Sequence, residues 1–158
     1  MLLFDASERV LLLRGHDPAE PHRAWWFTPG GGIDGEETAR QAAARELREE
    51  TGWDIPEERL VGPVWERTAL FDFMEHPYAQ HEVFYVARIP GAPDDAVAPG
   101  GRLGWTAAER DTLDDVRWFS VAEVVGLDTE VFPTTLGELL PGALDWDGEL
   151  RQLGEERA

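Results

Sequence analysis

Hydrophobic residues occur in short runs along the N-terminal part of the chain. The apolar runs Leu2–Phe4 and Val10–Leu13 flank a polar segment, which predicts a β-hairpin. Residues 15–23 are mostly polar and predict a loop. Trp25–Phe27 predicts a short strand that ends at a run of glycines. The first 30 residues therefore indicate strand-rich structure.

The segment Thr38–Thr51 has a different pattern, because it is rich in alanine, glutamate and arginine, which favour helices. Gly52 supplies a C-terminal stop. With about 100° between successive residues, the segment has one apolar face. That face contains Ala39, Ala42 and Ala43, with Leu47 at its edge, and the opposite side contains Arg40, Gln41, Ala44 and Arg48.

Strand patterns return in the middle of the chain. Leu60–Met74 predicts one long strand or two short ones, interrupted near Gly62 and Pro63, and His81–Ile89 predicts another. Residues 90–112 are rich in Gly, Pro and Asp and predict a long loop that is functional or mobile.

The C-terminal part predicts a strand at Val116–Phe119 and a short helix at Val121–Val125. Thr134–Leu140 and Trp146–Leu153 predict two further helices. This order of elements predicts an α/β fold in which helices cover both faces of a mixed sheet. The length fits one domain spanning residues 1–158.

Composition removes several classes of site. The chain has no cysteine, which excludes disulfides, Cys₄ zinc sites and thiol nucleophiles. It has no lysine, which excludes a P-loop lysine and a Schiff-base lysine. No apolar run approaches the roughly 20 residues that span a bilayer, so no membrane partner is expected. No signal peptide is recognisable at the start, so a cytoplasmic protein is expected.

The net charge of −18, from 14 basic and 32 acidic residues, argues against a nucleic-acid polymer as partner. Binding such polymers depends on neutralising phosphates with basic side chains. If the substrate is a small polyphosphate, divalent cations at the point of contact would screen both partners.

Three acidic residues of the predicted helix, Glu46, Glu49 and Glu50, continue its apolar face instead of lying opposite to it. A solvated face with ion pairs is the simpler explanation of a glutamate-rich helix, but it places the acids away from the core. Carboxylates at i, i+3 and i+4 repel one another unless a cation lies among them. Oxygen ligands suit Mg²⁺ or Mn²⁺, so the geometry favours a metal site.

Residues 31–53 resemble the signature of the Nudix hydrolases, the MutT/Nudix family, written G-x5-E-x7-R-E-U-x-E-E-x-G-U with U hydrophobic. A match of the fixed letters at a given start has a chance probability on the order of 10⁻⁷. Trp53 is bulkier than the usual aliphatic residue. The matching residues are Gly31, Glu37, Arg45, Glu46, Leu47, Glu49, Glu50, Gly52 and Trp53.

The resemblance implies a Nudix α/β/α sandwich in which Glu46, Glu49 and Glu50 bind a catalytic Mg²⁺, for which Mn²⁺ substitutes. In many members the position of Glu46 also orients or deprotonates the attacking water. The resemblance further implies that Arg45 holds Glu46 through a charged hydrogen bond. Glu37 would hold the preceding loop or share a second metal.

Substrate contacts are expected around this segment. Gly31 and Gly32 would permit close backbone approach and positive φ, beside a turn at Gly30 that resembles the family's Pro-Gly-Gly turn. Nudix proteins often add a ligand or base from outside the signature. Glu82, on an apolar strand face, is the first candidate, against a solvent position at the strand end, and Glu109 is the weaker alternative.

Aromatic and basic residues supply further candidates. Trp105 in the long loop is a candidate for stacking on a base, and Arg23 and Arg102 are candidate phosphate contacts, although exposed arginines are usually only solvated. Core positions are expected for the other aromatic candidates, which are Trp25, Trp26, Phe71 and Phe73.

The resemblance predicts a Mg²⁺-dependent hydrolase that cleaves the pyrophosphate bond of a nucleoside diphosphate linked to another moiety, including nucleoside triphosphates and ADP-sugars. The alternative is a non-catalytic Nudix-type nucleotide-binding or regulatory domain. Isopentenyl-diphosphate isomerase shares the fold but relies on a cysteine, which is absent. Dimers are common in the family, so a homodimer is among the expected assemblies.

Overall fold

The structure is a computed structural model that describes residues 1–74, 76–98 and 105–157, without the side chains of Phe73 and Ala108. The described residues form eight strands, four α-helices and a 3₁₀ turn at Glu57–Arg59. The strands are β1 (Leu2–Phe4), β2 (Val10–Asp17), β3 (Glu20–Phe27), β4 (Val61–Phe73), β5 (His76–Arg88), β6 (Leu113–Phe119), β7 (Glu130–Phe132) and β8 (Arg151–Arg157). The helices are α1 (Ala39–Thr51), α2 (Ala107–Thr112), α3 (Val121–Val125) and α4 (Leu136–Leu144).

The strands form one mixed sheet in the order β7-β3-β2-β1-β5-β4-β8, with β6 paired to β2. Leu13 of β2 pairs with both Phe27 of β3 and Val116 of β6, so these two strands flank β2. The β1–β5, β3–β7 and β4–β8 pairs are parallel, and the remaining pairs are antiparallel. Residues of β3, β4 and β5 face residues of α1 across one cavity.

Alternate residues of β1 and β2 belong to two separate hydrophobic clusters, because successive side chains of a strand point to opposite faces of the sheet. Phe4 and Leu12 join a cluster that contains Val124 of α3 and Leu140 of α4. Leu3, Leu11 and Leu13 join a second cluster that contains Leu47 of α1. Helices therefore pack on both faces of a mixed sheet, and the predicted α/β architecture is confirmed.

Helix α1 begins and ends as the sequence predicts. The Thr38 side chain accepts a hydrogen bond from the backbone of Gln41, whose own side chain accepts one from the Thr38 backbone. This capping box satisfies two N–H groups that the first turn leaves without partners. Gly52 ends the helix with φ of 78°, a left-handed conformation that favours glycine.

Strands β4 and β5 form a long hairpin. Of the two alternatives predicted for 60–74, one long strand or two short ones, the structure has the long strand, with a register shift between Val61 and Trp65 where the Gly62–Pro63 bond is cis. Strand β5 begins at His76, earlier than the predicted start at His81. Residues 76–80 are exposed and lack an apolar alternation, so their strand conformation depends on backbone pairing with β4.

Two predictions were wrong in the kind of structure. Residues 15–23 are not a loop, because 15–17 end β2 and 20–23 begin β3. The short turn between them is held by a hydrogen bond from the backbone of Ala19 to the Asp17 side chain. Trp146–Leu153 is not a helix, because its last residues begin β8, which pairs parallel to β4. In both places non-local strand pairing outweighs local preference.

A third prediction was wrong in kind, and one predicted boundary also differs from the structure. Residues 107–112, expected to be loop, form α2, which is capped by a reciprocal pair of hydrogen bonds between Thr106 and Glu109. The helix expected at Thr134–Leu140 lies at Leu136–Leu144. In the described ranges, none of the helices has the length and apolar character required to cross a bilayer.

Candidate functional site

The turn before α1 is built around two of the helix's carboxylates. The backbone N–H of Gly30 donates to Glu50 at 2.8 Å, and Gly30 has φ of 152°, which favours glycine. A Cβ placed on Gly31 would overlap the Glu46 carboxylate. Glycine at position 31 therefore lets the turn lie directly against Glu46. Positive φ occurs at Gly30 and not at Gly31 or Gly32, which corrects that part of the prediction.

Glu46 and Glu50 of α1 and Glu109 of α2 form a compact carboxylate group. Each offers an oxygen that lies within 4.8 Å of the oxygens of the other two. Glu46 is 8% exposed and Glu50 is 4% exposed. Glu109, the weaker of the two outside candidates, is thus the one that the structure brings to α1.

A buried contact holds α2 against the end of α1. The indole N–H of Trp105 donates to the backbone carbonyl of Glu50 at 2.8 Å, and Trp105 is 8% exposed in the same cluster as Leu47. Trp105 directly precedes Thr106, the N-cap of α2. This contact places Glu109 beside Glu46 and Glu50. The predicted stacking role does not fit Trp105, whose ring lies in the core.

The electrostatics of the group fit a bound cation. Burial raises the pKa of Glu50 to about 8, and the Gly30 hydrogen bond opposes this only partly. Burial also raises the pKa of Glu46, against the opposing effect of Arg45. Buried carboxylates are costly to ionise without a positive partner. An all-oxygen donor set of this kind suits a hard divalent cation.

Arg45 connects the signature residues. Its guanidinium donates to Glu37 at 2.7 Å, to Glu46 at 2.9 Å, to Glu49 at 3.1 Å and to the carbonyl of Gly32 at 2.9 Å. The hydrogen bonds and nearby carboxylates raise the pKa of Arg45, led by Glu37. Arg45 therefore holds both the loop and the Glu46 carboxylate, as a positioning residue.

Glu37 and Glu49 lie outside the compact carboxylate group. Glu37 accepts from Arg45 and from the backbone of Asp34, and its pKa is lowered chiefly by the Arg45 hydrogen bond. This geometry matches the loop-holding role. Glu49 is bonded to Arg45, and its side chain is 37% exposed.

Glu82 is neither at a strand end nor in the carboxylate group. It lies within β5, where its carboxylate accepts from Nε of Arg67 at 2.7 Å. Arg67 is 6% exposed and also donates to Glu156 of β8 at 2.6 Å. Glu156 in turn accepts from the backbone of Thr134. The ion pair with Arg67 explains how the strand accommodates the acid that its pattern singled out.

A cavity of ≈ 330 Å³ lies beside the Gly30–Gly31 turn, between α1 and strands β3, β4, β5 and β7. Trp25 and Phe71, expected in the core, line this cavity, whereas Trp26 is buried as expected. Arg23 also lines it, paired with Glu130 at 2.9 and 3.2 Å. Arg102 lies outside the described residues.

Sequence reasoning missed Arg67 and Glu156. Arg67 shares a strand face with Ala69 and Phe71, opposite Glu82 in register, so a buried counter-ion for Glu82 was a detectable signal. Glu156 gave no such signal, because its segment was expected to follow a helix. Its role depends on the parallel pairing of β8 with β4.

Comparison with known proteins gives a consistent result. A family model described as NUDIX domain matches residues 1–140. An RNA pyrophosphohydrolase of Marinomonas sp. (strain MWYL1) is 32% identical over 132 residues, covering 76% of this chain and 77% of that protein. A Bacillus subtilis (strain 168) protein named Uncharacterized Nudix hydrolase YvcI is 38% identical over 60 residues, covering 38% of this chain and only 35% of that protein.

Solved structures show the same fold. The binary complex of a C. elegans Ap4A hydrolase superposes with a TM-score of 0.57 and covers 91% of this chain and 93% of its own, at 20% sequence identity. At that identity the likeness concerns the fold alone.

Proposed function

The chain belongs to the Nudix family, and from that premise we propose that it is a Mg²⁺-dependent hydrolase that cleaves the pyrophosphate bond of a nucleoside diphosphate linked to another moiety. The proposed substrates include nucleoside triphosphates and ADP-sugars. The observation that carries the proposal is the group of Glu46, Glu50 and Glu109, whose oxygens lie within 4.8 Å of one another beside a cavity of nucleotide size.

Glu46, Glu50 and Glu109 would hold the ion, with Mn²⁺ able to replace Mg²⁺, and Glu49 is a further ligand by family resemblance. When bound, the ion supplies charge neutralisation on the phosphate oxygens and lowers the pKa of a water molecule. The catalytic set in this proposal is Glu46, Glu49 and Glu50, positioned by Arg45.

The chain's own groups supply the orientation that the reaction needs. Gly30 holds Glu50 by a backbone hydrogen bond, and Arg45 holds Glu46 from the opposite side. Either Glu46 or Glu109 then serves as acceptor for the proton that water releases as it attacks phosphorus. Gly31 lines the cavity, which would receive the part of the substrate remote from the cleaved bond. By family resemblance, Gly31 and Gly32 would allow the backbone to approach the substrate closely.

A second candidate activity is removal of pyrophosphate from the 5′ end of RNA. It is favoured by the name of the Marinomonas relative, RNA pyrophosphohydrolase, at 32% identity. The net charge of −18 argues against a long polyanion as substrate. A non-catalytic nucleotide-binding domain is the remaining alternative. The intact signature and the group of Glu46, Glu50 and Glu109 argue against it.

The test is a phosphate-release screen in Mg²⁺ over nucleoside triphosphates, ADP-ribose, NADH, dinucleoside polyphosphates and 5′-triphosphate RNA. We expect hydrolysis of at least one nucleotide and a fall in kcat on the order of 10³-fold in Glu50→Gln, because the amide is a much weaker ligand for the ion. Glu58→Gln, at an exposed glutamate of the 3₁₀ turn, is the matched control and should have the wild-type kcat. Absence of hydrolysis across the screen, or full activity in Glu50→Gln, contradicts the proposal.

A further inference from the structure

The cavity beside the carboxylate group has aromatic walls. Trp25 and Phe27 of β3, Phe71 of β4, Phe84 of β5 and Phe132 of β7 all line it. Such walls favour a planar aromatic ring, which gains stacking and edge contacts there. Gly30 and Gly31 line the cavity, and Gly30 donates to Glu50, so the cavity adjoins the carboxylate group and a single substrate molecule can place its ring in one and a phosphate at the other.

The charges in the cavity disfavour binding of a phosphate there, in addition to the phosphate at the carboxylate group. Arg23 is paired with Glu130, and Arg67 is paired with Glu82 and Glu156. Asp72 adds another acid to the lining. The remaining cation is the buried ammonium of Met1, which also lines the cavity and already faces Glu50 and Glu82. In the part of the chain that the structure describes, an entering phosphate would therefore meet carboxylates, and arginines and an ammonium that already face acidic groups. An uncharged ring with hydrogen-bond donors suits this environment better.

Glu82 is the acid best placed to receive those donors. Arg67 fixes one of its oxygens at 2.7 Å, and the other has no hydrogen-bond partner among the described residues. The side chain is 22% exposed and lines the cavity. Glu156 differs, because Arg67 and the backbone of Thr134 occupy its two oxygens. Each Glu82 oxygen retains a lone pair, so the carboxylate is held in place with both oxygens able to accept.

Two adjacent oxygens accept best from two parallel donors. Guanine offers its ring N1–H and its 2-amino group side by side on one edge. Adenine and cytosine each place a ring-nitrogen acceptor beside their amino group, and in uracil carbonyl acceptors flank the ring N–H. A site built to accept from two donors rejects a ring that lacks one of them, because an accepting group is left unpaired.

We propose that this cavity binds the guanine base of a guanine nucleotide and that Glu82, positioned by Arg67, is the residue that selects it. The inference rests on the proposed function, since it names the substrate class of that same site. It assigns Glu82 to recognition of the base, and not to the ion or to the attacking water.

The first test measures binding of the nucleoside monophosphates GMP, IMP and AMP to the wild-type protein in Mg²⁺ by titration calorimetry. IMP lacks only the 2-amino group of GMP. We expect GMP to bind roughly 10- to 100-fold more tightly than IMP or AMP, as for loss of one charge-assisted hydrogen bond. Equal affinity for GMP and IMP, or tighter binding of AMP, overturns the inference.

Turnover separates the two proposals. If GTP, ITP and ATP are hydrolysed with equal kcat/KM, the enzyme is a hydrolase and the guanine inference is wrong. If GMP binds selectively but no nucleotide is hydrolysed, the guanine inference stands and the proposed function fails.

The second test uses Glu82→Gln, which keeps an oxygen for Arg67 but turns one acceptor into a donor. We expect its GMP-to-IMP preference to fall to within about 2- to 3-fold while AMP affinity is unchanged. Glu66→Gln, on β4 and outside the cavity lining, is the matched control and should retain the preference. An unchanged preference in Glu82→Gln contradicts the assignment. If this variant fails to fold by circular dichroism, the wild-type series with GMP and IMP decides.

Discussion

Glu50 combines deep burial with negative charge. It is 4% exposed, it accepts a hydrogen bond from Gly30, and burial raises its pKa to about 8. A buried carboxylate with one neutral donor is costly to ionise, whereas a divalent ion among Glu46, Glu50 and Glu109 would reverse that cost. Ion binding at this residue therefore competes with proton binding.

This competition predicts the pH dependence of stability in the metal-free protein. A carboxyl group whose folded pKa is raised stabilises the fold fully below its unfolded pKa, and the contribution is lost as pH rises through the folded pKa. In excess chelator, we expect the free energy of unfolding to fall between about pH 5 and pH 9, by up to about 1.4 kcal/mol per pH unit for one group. Urea unfolding at several pH values measures this slope.

Glu50→Gln should flatten that slope and make the metal-free protein more stable than wild type at alkaline pH, because no charge is buried. Glu58→Gln, at the exposed position, should keep the wild-type slope. A wild-type slope that persists in Glu50→Gln would show that Glu50 is not the titrating group. Added Mg²⁺ should restore stability to the wild-type protein and much less to Glu50→Gln.

At the scale of elements, the candidate site depends on two helices that are distant in sequence. Helix α1 contributes Glu46 and Glu50 through its own periodicity, and α2 contributes Glu109. The contact of Trp105 with the carbonyl of Glu50 sets the position of α2. Arg45 has the equivalent role for the loop before α1. Contacts within α1 and from its neighbouring segments thus hold the three carboxylates in place.

Replacing Trp105 by Phe tests this arrangement. The variant loses the 2.8 Å hydrogen bond to Glu50, so we expect α2 to shift and the Mg²⁺ concentration for half-maximal activity to rise several-fold. Stability should fall by about 1–3 kcal/mol. Trp53→Phe is the matched control, because it loses a similar indole bond, to Ala96 at 2.7 Å, that does not involve α2. If the Mg²⁺ requirement rises equally in both variants, the cause is a general loosening of the fold and not the loss of the Trp105 contact with Glu50.

At the scale of the whole molecule, a net charge of −18 surrounds a site for an anionic substrate. Long-range repulsion of a polyanion grows as salt is removed, because screening weakens. A protein built for nucleic acid shows the opposite trend, with binding that tightens at low salt. Ionic strength therefore separates a nucleotide hydrolase from an enzyme acting on RNA ends.

We expect kcat/KM for a 5′-triphosphate RNA of about ten nucleotides to lie below that for the best nucleoside triphosphate. The gap should widen when monovalent salt is lowered from about 200 mM to about 25 mM at constant Mg²⁺. Measuring both substrates at both salt concentrations gives the comparison. RNA hydrolysis that accelerates at low salt and exceeds that of nucleotides would favour the RNA-end activity.

The sequence by itself determined the elements whose signals are local. Helix α1 follows from its helix-forming composition, the Thr38 cap and the Gly52 stop, all within neighbouring residues. Strands β1 and β2 follow from their apolar runs, and the placement of Glu46 and Glu50 follows from helical periodicity. Arg45 and Gly31 came from the family resemblance, and their contacts with Glu46 agree with it.

Only the tertiary structure decided the features that join distant segments. Strand β8 exists because β4 pairs with it, which outweighs the local helical preference at 146–153. Glu109 lies beside Glu46 because of the way α2 packs against α1. Arg67 lies between Glu82 and Glu156 because β4 pairs with both β5 and β8. The physical reason is the same in each case: a side chain's partners are set by non-local pairing and burial, while sequence patterns report only local preference.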